Sequence, residues 1–317
     1  MAKIDVTELD IFYISYDEPN CEEHWADLLN KVPWAKRVHG VKGFDKAHKT
    51  AAEQSETDRF ITVDGDNIVM DDFFEQVLDV PDQDHDGNNI SESIFSWNAK
   101  NILNGLVYGN GGLKCWPTEY TKTINTHEAA TDGEGMEFCW KLNYIQLNDT
   151  FSEVHQTASP FQAFRAGFRE GVKMSLDEGK RVRPDEFKQK IWWQNYNRLQ
   201  TWCNIGSDVE NGLWAIYGAR LGCDMTVLSD WDTNQISDFE WFKDFFDNDV
   251  APVEDNLYNT VCELGNKLNN EINEMMLFDP SVEMSKFFKQ TYVNPRRWGV
   301  MIREKQIQEL LEKGLIQ

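Results

Sequence analysis

The sequence predicts an α/β fold: a mostly parallel, Rossmann-like sheet in the first half of the chain, followed by a helical C-terminal region. Three observations carry this. Apolar, β-branched segments alternate with amphipathic ones from Leu9 to Val69. Each strand-like segment stops at a polar or glycine turn, where ligands of parallel sheets gather. From Ser159 onward the periodicity turns helical, which divides the chain into a core over 1–158 and a helical region over 159–317.

The elements follow in order. Leu9–Tyr16 (LDIFYISY) is apolar and aromatic and ends at the turn cluster Asp17-Glu18-Pro19-Asn20. Glu22–Val32 reads as a helix with Trp25, Leu28 and Leu29 on one face, and Ala35–Val41 as a second strand closed by Gly40 and Gly43. Asp45 is expected to cap a helix running to Ser55, with Ala47 and Ala51 stacked at i, i+4. Arg59–Val69 (RFITVDGDNIV) starts as a strand and breaks at Gly65. Pro81–Asn89 is an exposed polar loop. Ile94–Lys100 and Ile102–Tyr108 read as short strands, and Met136–Leu147 as a further apolar segment. Ser159-Pro160-Phe161-Gln162 has Ser at the N-cap, Pro at N1 and Gln at N3, a helix start. The helix it opens puts Phe161, Phe164 and Phe168 on one side and Arg165, Arg169 and Lys173 beside them. Leu257, Val261, Leu264, Leu268 and Ile272 form a later stripe, and Ile307, Leu310 and Leu311 a last one.

Composition narrows the function. The 317 residues are 41% hydrophobic and 13% aromatic, enough for a large core, and the formal net charge is −23. A polyanion binder usually carries a basic surface, so this charge lowers the expectation of a nucleic-acid partner unless basic residues cluster locally. The six cysteines are scattered without a CxxC pair, which argues against a zinc cluster and a disulfide framework. No apolar run approaches the roughly 20 residues that span a bilayer. A soluble, cytoplasmic protein of reduced compartment, with no membrane partner, is expected.

Asp64-Gly65-Asp66 is the main chemical candidate. Two carboxylates at the end of a buried strand, separated by one small residue, suit Mn²⁺ or Mg²⁺, which take oxygen ligands. Such a cation stabilises a diphosphate leaving group. Gly65 lets the backbone turn and a nucleotide come close. A second acidic run, Asp82-x-Asp84-x-Asp86-Gly87, imitates a calcium loop but has Ser93 where the twelfth-position Glu belongs, and reads as a solvated loop.

Around these residues the chain resembles GT-A glycosyltransferases. Lys46–Val69 (KAHKTAAEQSETDRFITVDGDNIV) is similar to their helix-then-DxD block, and Gly109-Asn110-Gly111-Gly112 to the glycine turn bordering the donor sugar. Asp132-Gly133-Glu134-Gly135 lies where that family has its acidic catalytic segment, although adjacent Glu-Asp is usual there. Glu153-Val154-His155 lies where a histidine after the last core strand completes the metal site. The order holds from Leu9 to about Ser159, half of the chain.

The resemblance implies a UDP-sugar donor and a set of roles. Asp64, Asp66 and His155 would hold the metal, with Asp64 also reaching the ribose. Tyr16 and Asp17 would contact uracil, or else only cap their strand. His48 would reach ribose or phosphate, Gly111 and Gly112 would border the sugar, and Asp132 or Glu134 would be the base of an inverting reaction. A retaining reaction needs no such base. More narrowly, the chain resembles proteins of T-even-like and related phages. Some of those glycosylate 5-hydroxymethylcytosine in DNA, arabinose being one transferred sugar. Hydroxymethylated DNA is therefore one expected acceptor, with host cytoplasm as the place of action, and a glycan or protein hydroxyl is the other. Arg165, Arg169, Lys173, Lys180, Arg181, Arg183, Lys188 and Lys190, followed by Trp192, Trp193 and Tyr196, could hold nucleic acid or form a solvated helix face. Arg296-Arg297-Trp298 is a second basic site. Two other readings remain. Nucleotidyl transfer is disfavoured by the acidic turn after the first strand, and a non-catalytic binding protein would have a degenerate transferase fold.

Overall fold

The computed structural model describes residues 2–83, 87, 90–108, 111–126, 143–292 and 302–316. Strand β1 (Ala2–Asp5) precedes β2 (Asp10–Ser15), helix α1 (Cys21–Lys31), β3 (Lys36–His39), α2 (Phe44–Gln54), β4 (Arg59–Asp64), β5 (Asn67–Val69) and β6 (Val77–Val80). Then come β7 (Ile94–Asn101), β8 (Val107–Tyr108), β9 (Leu113–Pro117), the short α3 (Thr118–Thr121) and β10 (Tyr144–Val154). The architecture is α/β, built on an eight-stranded mixed sheet of order β3-β2-β4-β9-β7-β10-β5, with β8 paired to β7. Strands β3, β2 and β4 are mutually parallel, β9 runs antiparallel between β4 and β7, and β10 is parallel to β7. Strands β1 and β6 form a separate antiparallel pair.

The middle of the sheet is buried on both faces, as parallel strands are when helices cover them. Alternate residues of β4 serve opposite cores. Ile61 and Val63 join Tyr13, Leu28 and Val32 on the α1 side, whereas Phe60 joins Phe12, Ala47, Ala51 and Trp116 on the α2 side. The chain steps from β2 outward to β3, then returns past β2 to β4, so the strand order reverses there. The carboxyl ends of β2 and β4 therefore meet at a topological switch point, the position where open α/β sheets bind ligands.

The second half is helical: α4 (Pro160–Met174), a small hairpin of β11 (Leu176–Asp177) and β12 (Lys180–Arg181), α5 (Phe187–Lys190), α6 (Trp193–Asn204), α7 (Gly212–Leu228), α8 (Phe239–Phe245), α9 (Leu257–Glu271), α10 (Val282–Tyr292) and α11 (Glu304–Glu312). The α4 start reads as its sequence promised, for Ser159 Oγ accepts from Gln162 N at 3.1 Å. The core of this half is distinct from the sheet cores, yet Leu103 and Leu106 of the β7–β8 turn are buried in it. No helix among the described residues is long and apolar enough to cross a membrane, and the five described cysteines are free.

Helices α4 and α7 run parallel and touch backbone to backbone. A Cβ on Gly167 would stand 1.9 Å from Ala215 O, and one on Gly171 2.3 Å from Ala219 O. Reciprocally, a Cβ on Gly218 would stand 2.2 Å from Phe164 O, and one on Gly222 2.4 Å from Phe168 O. Both helices thus carry a small-xxx-small pattern, which permits this close approach.

Three local expectations change. Asp45 does not cap α2; Gly43 holds the N-cap position, and the Asp45 carboxylate accepts instead from Thr126 N at 2.9 Å and from the Thr126 hydroxyl. Ile102–Tyr108 is mainly a turn, because the Asn101 and Asn104 side chains accept from the backbone N–H groups of Leu103 and Leu106, leaving only two residues for β8. Leu311 is exposed, since Ile307 and Leu310 alone fall on the inner face of α11. Residues 136–142 of the expected Met136–Leu147 segment lie outside the described residues; β10 begins at Tyr144.

Gly167→Ala separates two effects of opposite sign. Helix propensity alone favours Ala by about 1 kcal/mol, whereas a collision with a rigid carbonyl costs about 1–3 kcal/mol or more. The expected outcome in urea denaturation is a net loss; a gain in midpoint would show the helices free to move apart.

Candidate functional site

Strand β4 ends at Asp64, and the chain turns at Gly65 before β5 begins at Asn67. The turn is anchored from beneath: Gly65 O lies 2.7 Å from the Tyr13 hydroxyl and 3.1 Å from His24 Nδ1. A Cβ on Gly65 would meet Glu18 Oε2 at 2.7 Å. The room left by this glycine, expected for a nucleotide, is thus filled by the Glu18 side chain, whose other anchor is the backbone N–H of Tyr16 at 2.8 Å.

Asp66 is the half-buried member of the triplet. Its Oδ1 accepts from Asn67 Nδ2 and its Oδ2 from Gln156 Nε2, each at 2.7 Å. Burial raises its pKa to about 6, the negative charges of Asp64 and Glu18 add to the rise, and the two amide hydrogen bonds oppose it. Among the described residues no cationic side chain comes within 4.0 Å of it. Asp64 is more open, and Lys114 Nζ stands 3.7 Å from its Oδ2. Lys114 is buried on β9 and donates to Gly111 O at 2.9 Å. Sequence reasoning missed Lys114, although a lysine inside the wholly buried strand LKCWP was itself a signal.

The Gly111-Gly112 pair belongs to this site. Gly112 O accepts from Asp64 N at 2.9 Å, and a Cβ on Gly112 would lie 2.4 Å from Asn67 Nδ2 and 2.5 Å from Asp64 Cβ. A Cβ on Gly111 would meet Ala99 Cβ at 2.7 Å. Both positions therefore need glycine for close approach. Gly109 and Asn110 lie outside the described residues, as do Asp132 and Glu134.

His155 is joined to the triplet through its backbone. Its N–H donates to Asp66 O at 2.7 Å, and its carbonyl accepts from Asn20 Nδ2 at 2.9 Å. Its ring faces Glu153, with Nε2 3.5 Å from Glu153 Oε2 and without hydrogen-bond geometry. Glu153 also pairs with Lys100 at 2.5 Å. The expected set Asp64, Asp66 and His155 is therefore not gathered into one ligand cluster. Among the described residues the only His/Cys/Asp/Glu trio with ligand atoms mutually within 4.8 Å is Cys21, Glu22 and His39. Arg37 is inserted into that trio, 2.6 Å from Glu22 Oε1 and 3.2 Å from His39 Nδ1, so a cation is already there.

His48 is turned into the core, with its Nε2 buried and without a hydrogen-bond partner among the described residues. It is 2% exposed, its Nδ1 lies 2.9 Å from Phe44 O, and its ring is held between Phe44 and Trp116 at 4.0 and 4.6 Å. Burial lowers its pKa to about 4 and keeps it neutral. Ala47, His48, Ala51 and Ala52 form the buried face of α2, and the histidine is on the core side of it. Tyr16 and Asp17, by contrast, are exposed at the carboxyl end of β2, with the Tyr16 ring edge-on to Phe239 at 6.1 Å.

The basic stretch is solvated only in part: Lys180, Arg181, Arg183 and Lys190 are exposed, whereas Arg165, Arg169, Lys173 and Lys188 are half-buried. Arg183 pairs with Asp185, Lys188 with Glu274 and Glu304, and Arg181 donates to the carbonyls of Thr226, Ser229 and Trp231. Arg165, read as part of that face, is half-buried, with its guanidinium 5.2 Å from the Phe239 ring and 5.5 Å from Phe242. Trp192 and Trp193 are half exposed. Arg296-Arg297-Trp298 lies outside the described residues. No family model, curated protein or solved structure matches the chain.

The Asp66 shift has a stability consequence. A carboxyl whose folded pKa is raised above 3.8 loses stability as pH climbs from there through about 6. Asp66→Asn is therefore expected to stabilise the metal-free protein by about 1–2 kcal/mol at pH 8, with the gain vanishing below pH 4. Urea midpoints across pH check this, and an unchanged or lowered midpoint at pH 8 contradicts it.

Proposed function

We propose that this chain is a metal-dependent glycosyltransferase of GT-A type that moves a sugar from a UDP-sugar to an acceptor hydroxyl. One observation carries the reading: Asp64 and Asp66 sit at the switch point of the sheet, and no cationic side chain among the described residues lies within 4.0 Å of Asp66.

Mn²⁺ or Mg²⁺ fits this donor set, which is all oxygen and electrostatically under-compensated. Asp66 would hold the ion, with Asp64 contacting it directly or through water and ribose. The ion, when bound, neutralises charge on the diphosphate leaving group. The protein's own groups do the positioning. Gln156 and Asn67 fix the Asp66 carboxylate by its two oxygens, and Lys114 steadies Asp64 against the Gly111–Gly112 turn that borders the donor sugar. Tyr16 is exposed enough to stack on uracil, with Asp17 beside it to accept the imide N–H. His155 would add a ligand only by turning its ring away from Glu153. For an inverting outcome Asp132 or Glu134 would take the acceptor proton.

The acceptor we retain is the hydroxymethyl group of 5-hydroxymethylcytosine in DNA, which the phage resemblance implies. A glycan or protein hydroxyl is the competing outcome of the same assay.

The test is hydrolysis or transfer from UDP-sugars with Mn²⁺ or Mg²⁺, and mass spectrometry of digested hydroxymethylated DNA for a pentose or hexose increment. Asp66→Ala should lower turnover by roughly 100-fold or more. Intact turnover in that variant removes the metal role. Metal-dependent UDP binding without turnover on any acceptor points to a binding protein instead.

A further inference from the structure

We propose that Arg165, with Arg169 one turn further along α4, forms an anion site that grips the phosphoryl groups of the ligand opposite the acidic triplet. The inference rests on the nucleotide reading above for the identity of that ligand, and on the following geometry for the site itself.

The α4 face that carries Gln162, Arg165 and Arg169 at i, i+3 and i+7 is turned toward the switch point. Gln162 Nε2 donates to Asn20 Oδ1 at 3.2 Å, and Asn20 in turn holds the His155 carbonyl beside Asp66. Arg165 comes next on this face. Its flanks are the rings of Phe239 and Phe242, and Phe239 also touches Tyr16 at the carboxyl end of β2.

Among the described residues its guanidinium makes no hydrogen bond. Arg165 Nε itself is buried without a partner, and among the described residues no carboxylate lies within 4.0 Å of Arg165 or Arg169. Two arginines buried more fully find acceptors. Arg59 donates to the carbonyls of Ser93 and Ser91 at 3.0 and 2.6 Å, and Arg220 to those of Cys203, Val261 and Phe278. A buried guanidinium nitrogen left without an acceptor is costly unless a ligand provides one. Burial and the neighbouring Arg169 charge push Arg165 down to about 9, while Asp66 and Glu18 pull the other way, so it stays cationic at neutral pH.

Asp66 and Glu18 are thus within electrostatic reach of Arg165 without pairing to it. A divalent cation on the acidic side and a phosphoryl dianion between it and the arginines would compensate all of these charges together. Arginine suits the role because its planar fork matches phosphate oxygens bidentately. Phosphate alone offers the same chemistry as a nucleoside diphosphate, so the experiment must separate them.

Titration calorimetry of wild type, Arg165→Gln and Arg165→Lys should use UDP, uridine and inorganic pyrophosphate, each with Mn²⁺ and with chelator. Arg165→Gln is expected to weaken UDP and pyrophosphate by roughly tenfold or more while leaving uridine unchanged, with Arg165→Lys between. Pyrophosphate binding that Arg165→Gln loses, in a protein that ignores UDP, keeps the anion site and removes the nucleotide reading. UDP affinity equal in wild type and Arg165→Gln overturns the anion site and leaves the nucleotide reading standing. Equal losses for UDP and uridine also overturn it, as would a wild type that binds neither pyrophosphate nor UDP. Should Arg165→Gln fail to fold by circular dichroism, Arg169→Gln carries the same comparison.

Discussion

The backbone contact between α4 and α7 is the constraint on which the helical half depends. Four glycines, two on each helix, let carbonyls of one helix lie against the other where any side chain would collide. At that range Cα–H···O contacts and dispersion replace side-chain interdigitation. The consequence is directional. With its glycine face locked to α7, α4 must send Phe164 and Phe168 into the aromatic group of Trp231, Trp241, Phe242, Phe245 and Phe246. Its remaining face, with Gln162 and Arg165, is left for the sheet. Arg220 reinforces the arrangement from the other side of α7, tying the end of α6, α9 and the segment at Phe278 to one buried cation through backbone carbonyls.

The sheet was legible in the sequence because its signals are local. Arg59–Val63 is buried on both faces, and its Phe60, Ile61, Thr62 and Val63 read as a β-branched and aromatic strand whatever its neighbours are. The same holds for the α4 start, where Ser159 and Pro160 declare themselves without tertiary help. Asp64-Gly65-Asp66 stood out by following such a strand, and the switch point at the β2 and β4 ends is where that logic puts a site. Strand order beyond β4 was not legible, since the antiparallel insertion of β9 between β4 and β7 is a long-range pairing with no local mark.

The misreadings share one cause: a helix tells which residues share a face, but its partner decides which face is inside. His48 has the same spacing whether α2 turns it to a ligand or to Trp116, and the small Ala47, Ala51 and Ala52 around it decide for the core. Arg165, Arg169 and Lys173 have the spacing of a solvated stripe, yet the glycines opposite draw α4 inward and half-bury all three. Those glycines carry almost no hydropathy signal, so the periodicity of the phenylalanines dominated the reading. Lys114 escaped for the converse reason, being a charge inside a segment too apolar to draw attention.

What distinguishes the switch point is that its charges are kept apart. Asp66 and Arg165 attract each other without touching, and a direct pair would relieve both. The fold withholds it on each side. Gln156 and Asn67 clamp the carboxylate by both oxygens, and Phe239 and Phe242 occupy the faces of the guanidinium. Neutral amides are weak compensation for a carboxylate, and aromatic rings are weak compensation for an arginine, so folding alone gains little from either choice. Sites that hold unlike charges unpaired are the expected result where stability is given up for binding, because the missing partners arrive with the ligand. A cation with a phosphoryl anion satisfies both ends at once. A neutral ligand satisfies neither, and a lone cation would quiet the acids but sharpen the repulsion felt by Arg165. On the function proposed above, a metal-bound anion would suit these separated charges better than either ion alone.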